Sequence, residues 1–151
     1  MSVVPTATAL LVLLAACGGD DPEPFFPEDY AATYVAVRGC RRSADHDLGN
    51  IRVLADPAAL APYRDRAAPF PAGAVVLKVE YDFGDLTCAG PIRNFTAMRR
   101  DAALDPQRLG WSWQRVDHDR TVTSEDDSRC IGCHSQCGSP PDGYLGTCAV
   151  P

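Results

Sequence analysis

The stretch AVVLKVEYD, residues 74–82, decides the fold of this chain. It has the length and the β-branched content of a β-strand, and a turn at residues 69–73 precedes it. Side chains alternate between the two faces of a strand, so Val76, Lys78 and Glu80 would share one face. The opposite face would carry Val75, Leu77, Val79 and Tyr81. We therefore predict a strand here, with two charged side chains on one of its faces.

Three other segments also have the composition of strands, at residues 51–54, 92–99 and 110–118. Trp111 and Trp113 would share one face of the last segment. Loops are predicted at residues 40–50, 101–109 and 123–129, and the last of these is acidic. The pattern is therefore rich in β-strands.

The predicted helices are short. Apolar residues three and four positions apart at residues 30–38 favour a helix, with a strand as the alternative. Asp56 and Pro57 form a good helix start, with an Asp N-cap and a Pro at the first helical position. Pro62 is expected to limit that helix to one or two turns. The chain has 13 prolines and no long helical repeat, which excludes a four-helix bundle.

Length and charge bound the class of protein. A chain of 151 residues suits one domain. Its formal net charge of −6 argues against nucleic-acid binding, which needs a basic surface. The same charge argues against electrostatic binding to anionic lipid. We therefore expect no nucleic-acid partner, and any attachment to a membrane would need another cause.

The N-terminal residues have the features of an export signal. The first 16 residues carry no charge, and the apolar run at residues 8–16 has the size of a signal peptide's hydrophobic region. The run ends in LAAC, residues 14–17, which resembles a bacterial lipobox, although no Lys or Arg precedes it. Cys17 would then become the lipidated first residue of the mature protein. A buried N-terminal strand or helix is the alternative.

This interpretation divides the chain into three parts. Residues 1–16 are predicted to be a lipoprotein signal peptide, residues 17–29 a lipid-anchored flexible tether, and residues 30–151 the folded domain. The tether is rich in Asp, Glu, Pro and Gly, which favours a solvated segment. The expected location is the periplasmic side of a bacterial cell envelope. Gly18 after the lipidated cysteine favours the outer membrane.

The chemistry is concentrated in CIGCH, residues 130–134. Two thiols at this spacing can bond to the two vinyl groups of haem, and His134 can then bind the iron, so the motif predicts covalent attachment of haem c through Cys130 and Cys133. A zinc site that also uses Cys137 is one alternative, but adjacent Cys133 and His134 suit a tetrahedral ion poorly. A plain Cys130–Cys133 disulfide is the other alternative.

Four further cysteines remain after lipidation and haem attachment are counted. An even number in an exported protein suggests two disulfides, for which three pairings exist. Proximity in sequence favours Cys40 with Cys88, and Cys137 with Cys148. Free buried thiols are the alternative.

The source of a second axial ligand is open. No methionine follows His134, and Met98 lies inside a predicted strand. The other two histidines are His46, in a polar loop, and His118, at a strand end. If either bound the iron, it would occupy the remaining coordination position and leave none open for a small ligand.

Several motifs in this order resemble the cytochrome P-460 group and its cytochrome c′-beta relatives. They are Ser43 with His46, RVLADPAALAPY, PFPAGAVVLKVEYD, GWSWQ, CIGCH, and an Asp142/Tyr144 tail. The resemblance spans about residues 41–144. It implies an α+β, mainly β fold, with an antiparallel β-sheet, short flanking helices and a C-terminal haem-attachment segment. It also implies one haem c, with histidine on one side of the iron and an open or water-filled opposite side.

The resemblance implies one of two activities. Family members with a lysine bonded to the porphyrin oxidise hydroxylamine, and members without that bond have an apolar distal pocket and bind nitric oxide. Lys78, the only lysine, is the candidate for the bond; an exposed ion pair with Glu80 is the alternative. Phe70, Phe83 and Phe95 are candidate distal walls.

The resemblance leaves further functions and partners open. A six-coordinate electron carrier is the third possible function. A redox partner and a homodimer are the further partners that the resemblance implies.

Overall fold

The computed structural model describes residues 21–44, 46, 48–137 and 143–148. The predicted signal peptide and its lipidation site at Cys17 lie outside the described residues.

The described chain forms one six-stranded antiparallel sheet in which the order of strands in space equals their order in sequence. The strands are β1 (Val35–Arg42), β2 (Asn50–Ala55), β3 (Val75–Tyr81), β4 (Ile92–Arg100), β5 (Trp111–Asp117) and β6 (Val122–Glu125). The prediction of an α+β, mainly β fold with an antiparallel sheet is confirmed.

Three short helices accompany the sheet: α1 (Tyr30–Thr33), α2 (Pro57–Asp65) and α3 (Ser128–His134). The predicted start of α2 is confirmed, because the Asp56 side chain accepts a hydrogen bond of 2.6 Å from the Ala59 N–H. The helix continues past Pro62 to Asp65, so its nine residues are slightly longer than the one or two turns expected. Proline removes only its own N–H bond, and the buried side chains of this helix compensate for that loss.

Two predicted boundaries are wrong at the edges of the sheet. The helix expected at residues 30–38 ends at Thr33, and β1 then extends into the predicted loop as far as Arg42. The acidic loop expected at residues 123–129 contains most of β6 and the start of α3. Both strands are edge strands with many exposed residues, so they lack the apolar alternation that identifies an inner strand.

The central strand β3 separates two apolar cores, as its alternation predicted. Leu77, Val79 and Tyr81 belong to one core, together with Phe26 and Phe95 among others. Val76 belongs to the other core, which also contains Met98, Trp111 and Trp113. Phe26 is only 2 % exposed, so it belongs to the folded domain although the sequence placed it in the tether. Both faces of the central strands are therefore covered.

Two disulfides tie the loops to this framework. Cys40 on β1 is bonded to Cys88 in the loop between β3 and β4, and Cys137 is bonded to Cys148. Both pairs are those that proximity in sequence favoured. The second pair connects the end of α3 to residues 143–148.

Candidate functional site

Helix α3 carries the CIGCH motif against one core of the sheet. Its start is fixed by two acidic residues: Asp127 accepts a hydrogen bond of 2.8 Å from the Arg129 N–H, and Asp126 accepts one of 3.0 Å from the Trp113 N–H. Cys130 is partly buried against that core, and Cys133 is exposed. Both are free thiols. One short helix thus presents both thiols and His134 together.

His134 is held as a neutral imidazole. Its Nδ1 lies 2.6 Å from the carbonyl oxygen of Gly146, and because a carbonyl only accepts, Nδ1 must carry the hydrogen. The lone pair is therefore on Nε2. Burial, followed by the positive charge of Lys78, lowers the pKa of His134 to about 4. The edge-to-face contact with Trp113, with ring centroids 4.7 Å apart, further fixes the ring.

The segment that supplies the Gly146 carbonyl depends on two glycines. A Cβ at Gly143 would collide with the carbonyl group of Cys137, and Gly146 has a φ of +84°, which favours glycine. The Cys137–Cys148 disulfide closes the same segment onto α3. The tail therefore orients the imidazole of His134 through its backbone.

A cavity of about 460 Å³ opens beside α3. Cys130, Cys133 and His134 line it on the side of the helix, and the Val76 face of β3 lines it on the side of the sheet. That face also brings Lys78 and Glu80 to the cavity, as strand alternation predicted. A cavity of this size is in the range of cofactor sites.

Lys78 and Glu80 belong to a hydrogen-bonded chain inside this cavity. Nζ of Lys78 contacts Nε2 of His46, and Nδ1 of His46 lies 3.2 Å from Oε1 of Glu80. The Thr96 hydroxyl donates a 3.2 Å hydrogen bond to the same carboxylate oxygen. Glu80 is only 5 % exposed, so the exposed ion pair considered from the sequence is wrong. The two charged residues are joined through an imidazole instead.

The carboxyl of Glu80 is ionised in this environment. Burial alone would raise its pKa, but the hydrogen bond from His46, the electrostatic effect of that ring and the positive charge of Lys78 outweigh burial. With the hydrogen bond from Thr96, they hold the pKa below its ordinary value. An ionised carboxylate only accepts hydrogen bonds, so Nδ1 of His46 carries a hydrogen. In a neutral ring, Nε2 is then the acceptor for Lys78.

Positive groups outnumber negative ones around the cavity. Arg41, Lys78, Arg115 and Arg129 line it, and Glu80 is the single carboxylate among the described residues that do so. Lys78, Thr96 and Arg115 form one row across three strands through their register. Arg115, Arg129 and Thr96 were not predicted as site residues, because their place depends on that register and on the docking of α3.

Other residues expected near the haem lie elsewhere. Phe70 packs on Trp111, Phe95 lies in the core on the opposite face, and Phe83 is 52 % exposed. None of them lines the cavity, so the prediction of phenylalanine walls is wrong. The walls that the sequence missed are Val76, Met98 and Trp113.

The two remaining histidines have different surroundings. His118 is exposed beyond β5 and does not line the cavity. His46 lines the cavity, but both of its ring nitrogens have protein partners.

The alternatives to haem at CIGCH are not supported by the described part of the chain. Cys137 is already bonded to Cys148, and no group of three or more metal-binding side chains comes together among residues 21–44, 46, 48–137 and 143–148. A Cys130–Cys133 disulfide is absent, since both thiols are free.

The residues present fit a haem. The helix presents two free thiols and a neutral imidazole beside a cavity of suitable size. The excess of arginine and lysine suits the two carboxylates that haem carries. Fold and site together define the class of a c-type haem protein.

Comparison with known families gives the same class. The family model for Cytochrome P460 matches residues 27–139, so the chain belongs to the Cytochrome P460 family of haem c-type cytochromes. The match begins close to the buried Phe26 and includes all six strands and α3. No curated protein matches the chain.

Proposed function

We propose that this chain is an exported, lipid-anchored cytochrome that carries one covalently bound haem c and acts on small nitrogen species. Cys130 and Cys133 would form the two thioether bonds, and His134 would bind the iron through Nε2. The observation that carries this assignment is the fixed, neutral imidazole of His134 beside two free thiols at the edge of the cavity. The haem would supply an iron centre that binds nitric oxide or accepts electrons from hydroxylamine.

The polar side chains on one side of the cavity favour hydroxylamine over nitric oxide. Lys78 and the Thr96 hydroxyl lie on the Glu80 side of the cavity, where they can hydrogen-bond to a ligand with N–H and O–H groups. Nitric oxide would gain less from such groups. The electrons would leave to a redox partner.

The direct test is the mass and the optical spectrum of the exported protein. We expect the mature chain to carry the added mass of one haem, and a Cys130→Ala/Cys133→Ala variant to lose that covalent mass. His134→Ala should keep the added mass and lose the native ferrous spectrum, because the thioether bonds do not need the imidazole. A matched His118→Ala control should leave both unchanged. A colourless mature protein would refute the assignment.

The number of covalent links separates the two activities. Three links, including one to Lys78, favour hydroxylamine oxidation, and two links favour a nitric-oxide binder. Peptide mass spectrometry reads this number directly. Addition of hydroxylamine and of nitric oxide to the ferric and ferrous protein should then show which ligand changes the spectrum.

A six-coordinate electron carrier is a second candidate because Met98 lines the cavity. Methionine opposite histidine is a common ligand pair in electron-transfer cytochromes c. If Met98 binds the iron, Met98→Leu should convert a low-spin ferric spectrum to a high-spin one. An unchanged high-spin spectrum in wild type and variant would favour the open iron.

A further inference from the structure

The chain Lys78–His46–Glu80 has the arrangement of a nucleophile, a base and the group that orients the base. We propose that His46, oriented by Glu80, is the base that takes the proton of the Lys78 ammonium, so that Lys78 acts as a nucleophilic amine in the cavity. Because the same cavity is proposed to hold the haem, this role rests on the proposed function. Glu80 acts through His46 and is a positioning residue.

The hydrogen-bond pattern gives the direction of the proton transfer. Nδ1 of His46 donates to the ionised carboxylate of Glu80, which leaves the Nε2 lone pair directed at Lys78. A proton that moves from Nζ to Nε2 produces an imidazolium next to a carboxylate, and the carboxylate stabilises that charge. The Thr96 hydroxyl holds the same carboxylate oxygen. The transfer leaves the summed charge of Lys78, His46 and Glu80 unchanged.

The charges around Lys78 favour the neutral amine. Arg41 on β1, Arg115 on β5 and Arg129 on α3 line the same cavity and exceed the two carboxylates of a haem by one, and a like charge disfavours an ammonium. The neutral His134 faces the cavity from α3, together with Cys130 and Cys133, whose sulfurs would be bonded to the haem, and Tyr63 faces it from α2. Glu80 is the single carboxylate among the described cavity residues, and it contacts His46.

The chemical step is balanced for a defined probe. Acetic anhydride reacts only with the neutral amine: the Lys78 nitrogen forms a bond to a carbonyl carbon, acetate leaves, and the N–H proton of the amine passes to acetate or water, because Nε2 of His46 already holds the proton of the former ammonium. Lys78 is the only lysine in the chain, so the acetylated lysine peptide reports on one site.

The test is the pH dependence of this acetylation in the purified haem-loaded protein, measured by peptide mass spectrometry against a free amine. An isolated lysine reacts about tenfold faster per pH unit below its pKa of about 10.4. When His46 shares the proton, the wild-type rate should change less than about threefold between roughly pH 6 and pH 8. His46→Asn should restore the tenfold slope, and the exposed His118→Asn should keep the wild-type profile.

Glu80→Gln provides a second variant if His46→Asn does not fold. The amide keeps a hydrogen-bond acceptor for His46 but removes the charge that stabilises the imidazolium. The pH range over which the acetylation rate of Lys78 stays nearly constant should therefore become narrower. A flat region that persists without His46, or a tenfold slope in wild type, would overturn the assignment of the base.

Acetylation is blocked if Lys78 is already bonded to the haem. Joining its nitrogen to a ring carbon removes one N–H and one C–H hydrogen, which a peroxide accepts as it is reduced to two waters. The same variants are then compared by the share of haem peptide that carries the Lys78 bond. We expect His46→Asn to lower this share at least about fivefold and His118→Asn to leave it unchanged. Equal shares in all three proteins would overturn the assignment.

The role of His46 as the base and the assignment of the haem can fail separately. A colourless protein with a flat acetylation profile would refute the haem and leave the base in place. A red wild-type protein whose acetylation rate changes tenfold per pH unit would support the haem and refute the base.

Discussion

Glu80 illustrates how burial changes the role of a single charged residue. In the sequence it is one of two opposite charges on a strand face, which is the usual pattern of a solvated pair. In the structure its carboxylate accepts hydrogen bonds from His46 and Thr96 at the edge of a cavity. Its protonation state therefore affects both the stability of the fold and the state of Lys78.

The lowered pKa of Glu80 predicts a change in acid stability. A carboxyl whose pKa is lower in the folded state stabilises the fold above its unfolded pKa, and this contribution disappears as pH falls through the folded pKa. Wild type should therefore lose free energy of unfolding below about pH 4.5. Glu80→Gln should be less stable at pH 7 and lose less between pH 4.5 and more acidic conditions.

Urea unfolding at a series of pH values measures this difference. The exposed Glu28→Gln is the matched control and should follow wild type. If Glu80→Gln and wild type lose stability in parallel as pH falls, Glu80 does not contribute to acid unfolding.

At the scale of elements, α2 depends on its N-cap. The Asp56 carboxylate accepts a hydrogen bond from the Ala59 N–H, one of the donors that a helix start leaves without a partner. Asp56→Ala should therefore lower the free energy of unfolding by about 1 kcal/mol. Asp65→Ala at the other end of the helix should cost little, because an acidic residue there opposes the helix dipole. Urea unfolding midpoints of the two variants compare the two ends.

The disulfides give a second prediction at this scale. Cys40 and Cys88 are separated by 48 residues, and Cys137 and Cys148 by 11. Loop-closure entropy assigns about 4 kcal/mol to the longer loop and about 3 kcal/mol to the shorter one. Cys40→Ala/Cys88→Ala should therefore be the less stable double variant in urea. We expect the Cys137→Ala/Cys148→Ala variant to change the haem spectrum more, since its loop supplies the hydrogen bond to His134. A reversed order of stability would contradict the entropy argument.

At the scale of the whole molecule, the six-stranded sheet carries the segment around Phe26 on one face and α3 on the other. Within the described residues, no helix is long and apolar enough to cross a membrane. Attachment to a membrane through a lipid at Cys17 is part of the proposed function.

Cys17→Ala tests this proposal in the intact protein. Acyl chains on Cys17 would hold the protein on a membrane. The net charge of −6 of this chain gives no attraction to anionic lipid. The variant should move from the membrane pellet to the soluble fraction and keep the haem spectrum. Glu28→Gln, at an exposed position of the domain, should stay in the pellet. Wild type and Cys17→Ala sedimenting alike would contradict the lipid anchor.

Local patterns were sufficient for the inner strands and the start of α2. Alternation along β3 assigned its faces correctly, because this signal acts over a few neighbouring residues. The thiol spacing of CIGCH predicts haem c in the same local way, and the family match supports a haem c-type cytochrome. The edge strands β1 and β6 escaped prediction because they bury little apolar surface. Composition and compartment also favoured two disulfides, and proximity favoured the pairs that formed.

The contents of the cavity depended on tertiary structure. His46 reaches Lys78 across 32 positions of sequence, and Met98 and Arg115 enter through the register of neighbouring strands. The tail brings the Gly146 carbonyl to His134 only because the Cys137–Cys148 disulfide and the glycine turn return the chain. Contacts of this kind follow from the closure of loops and the pairing of strands, which no local pattern encodes.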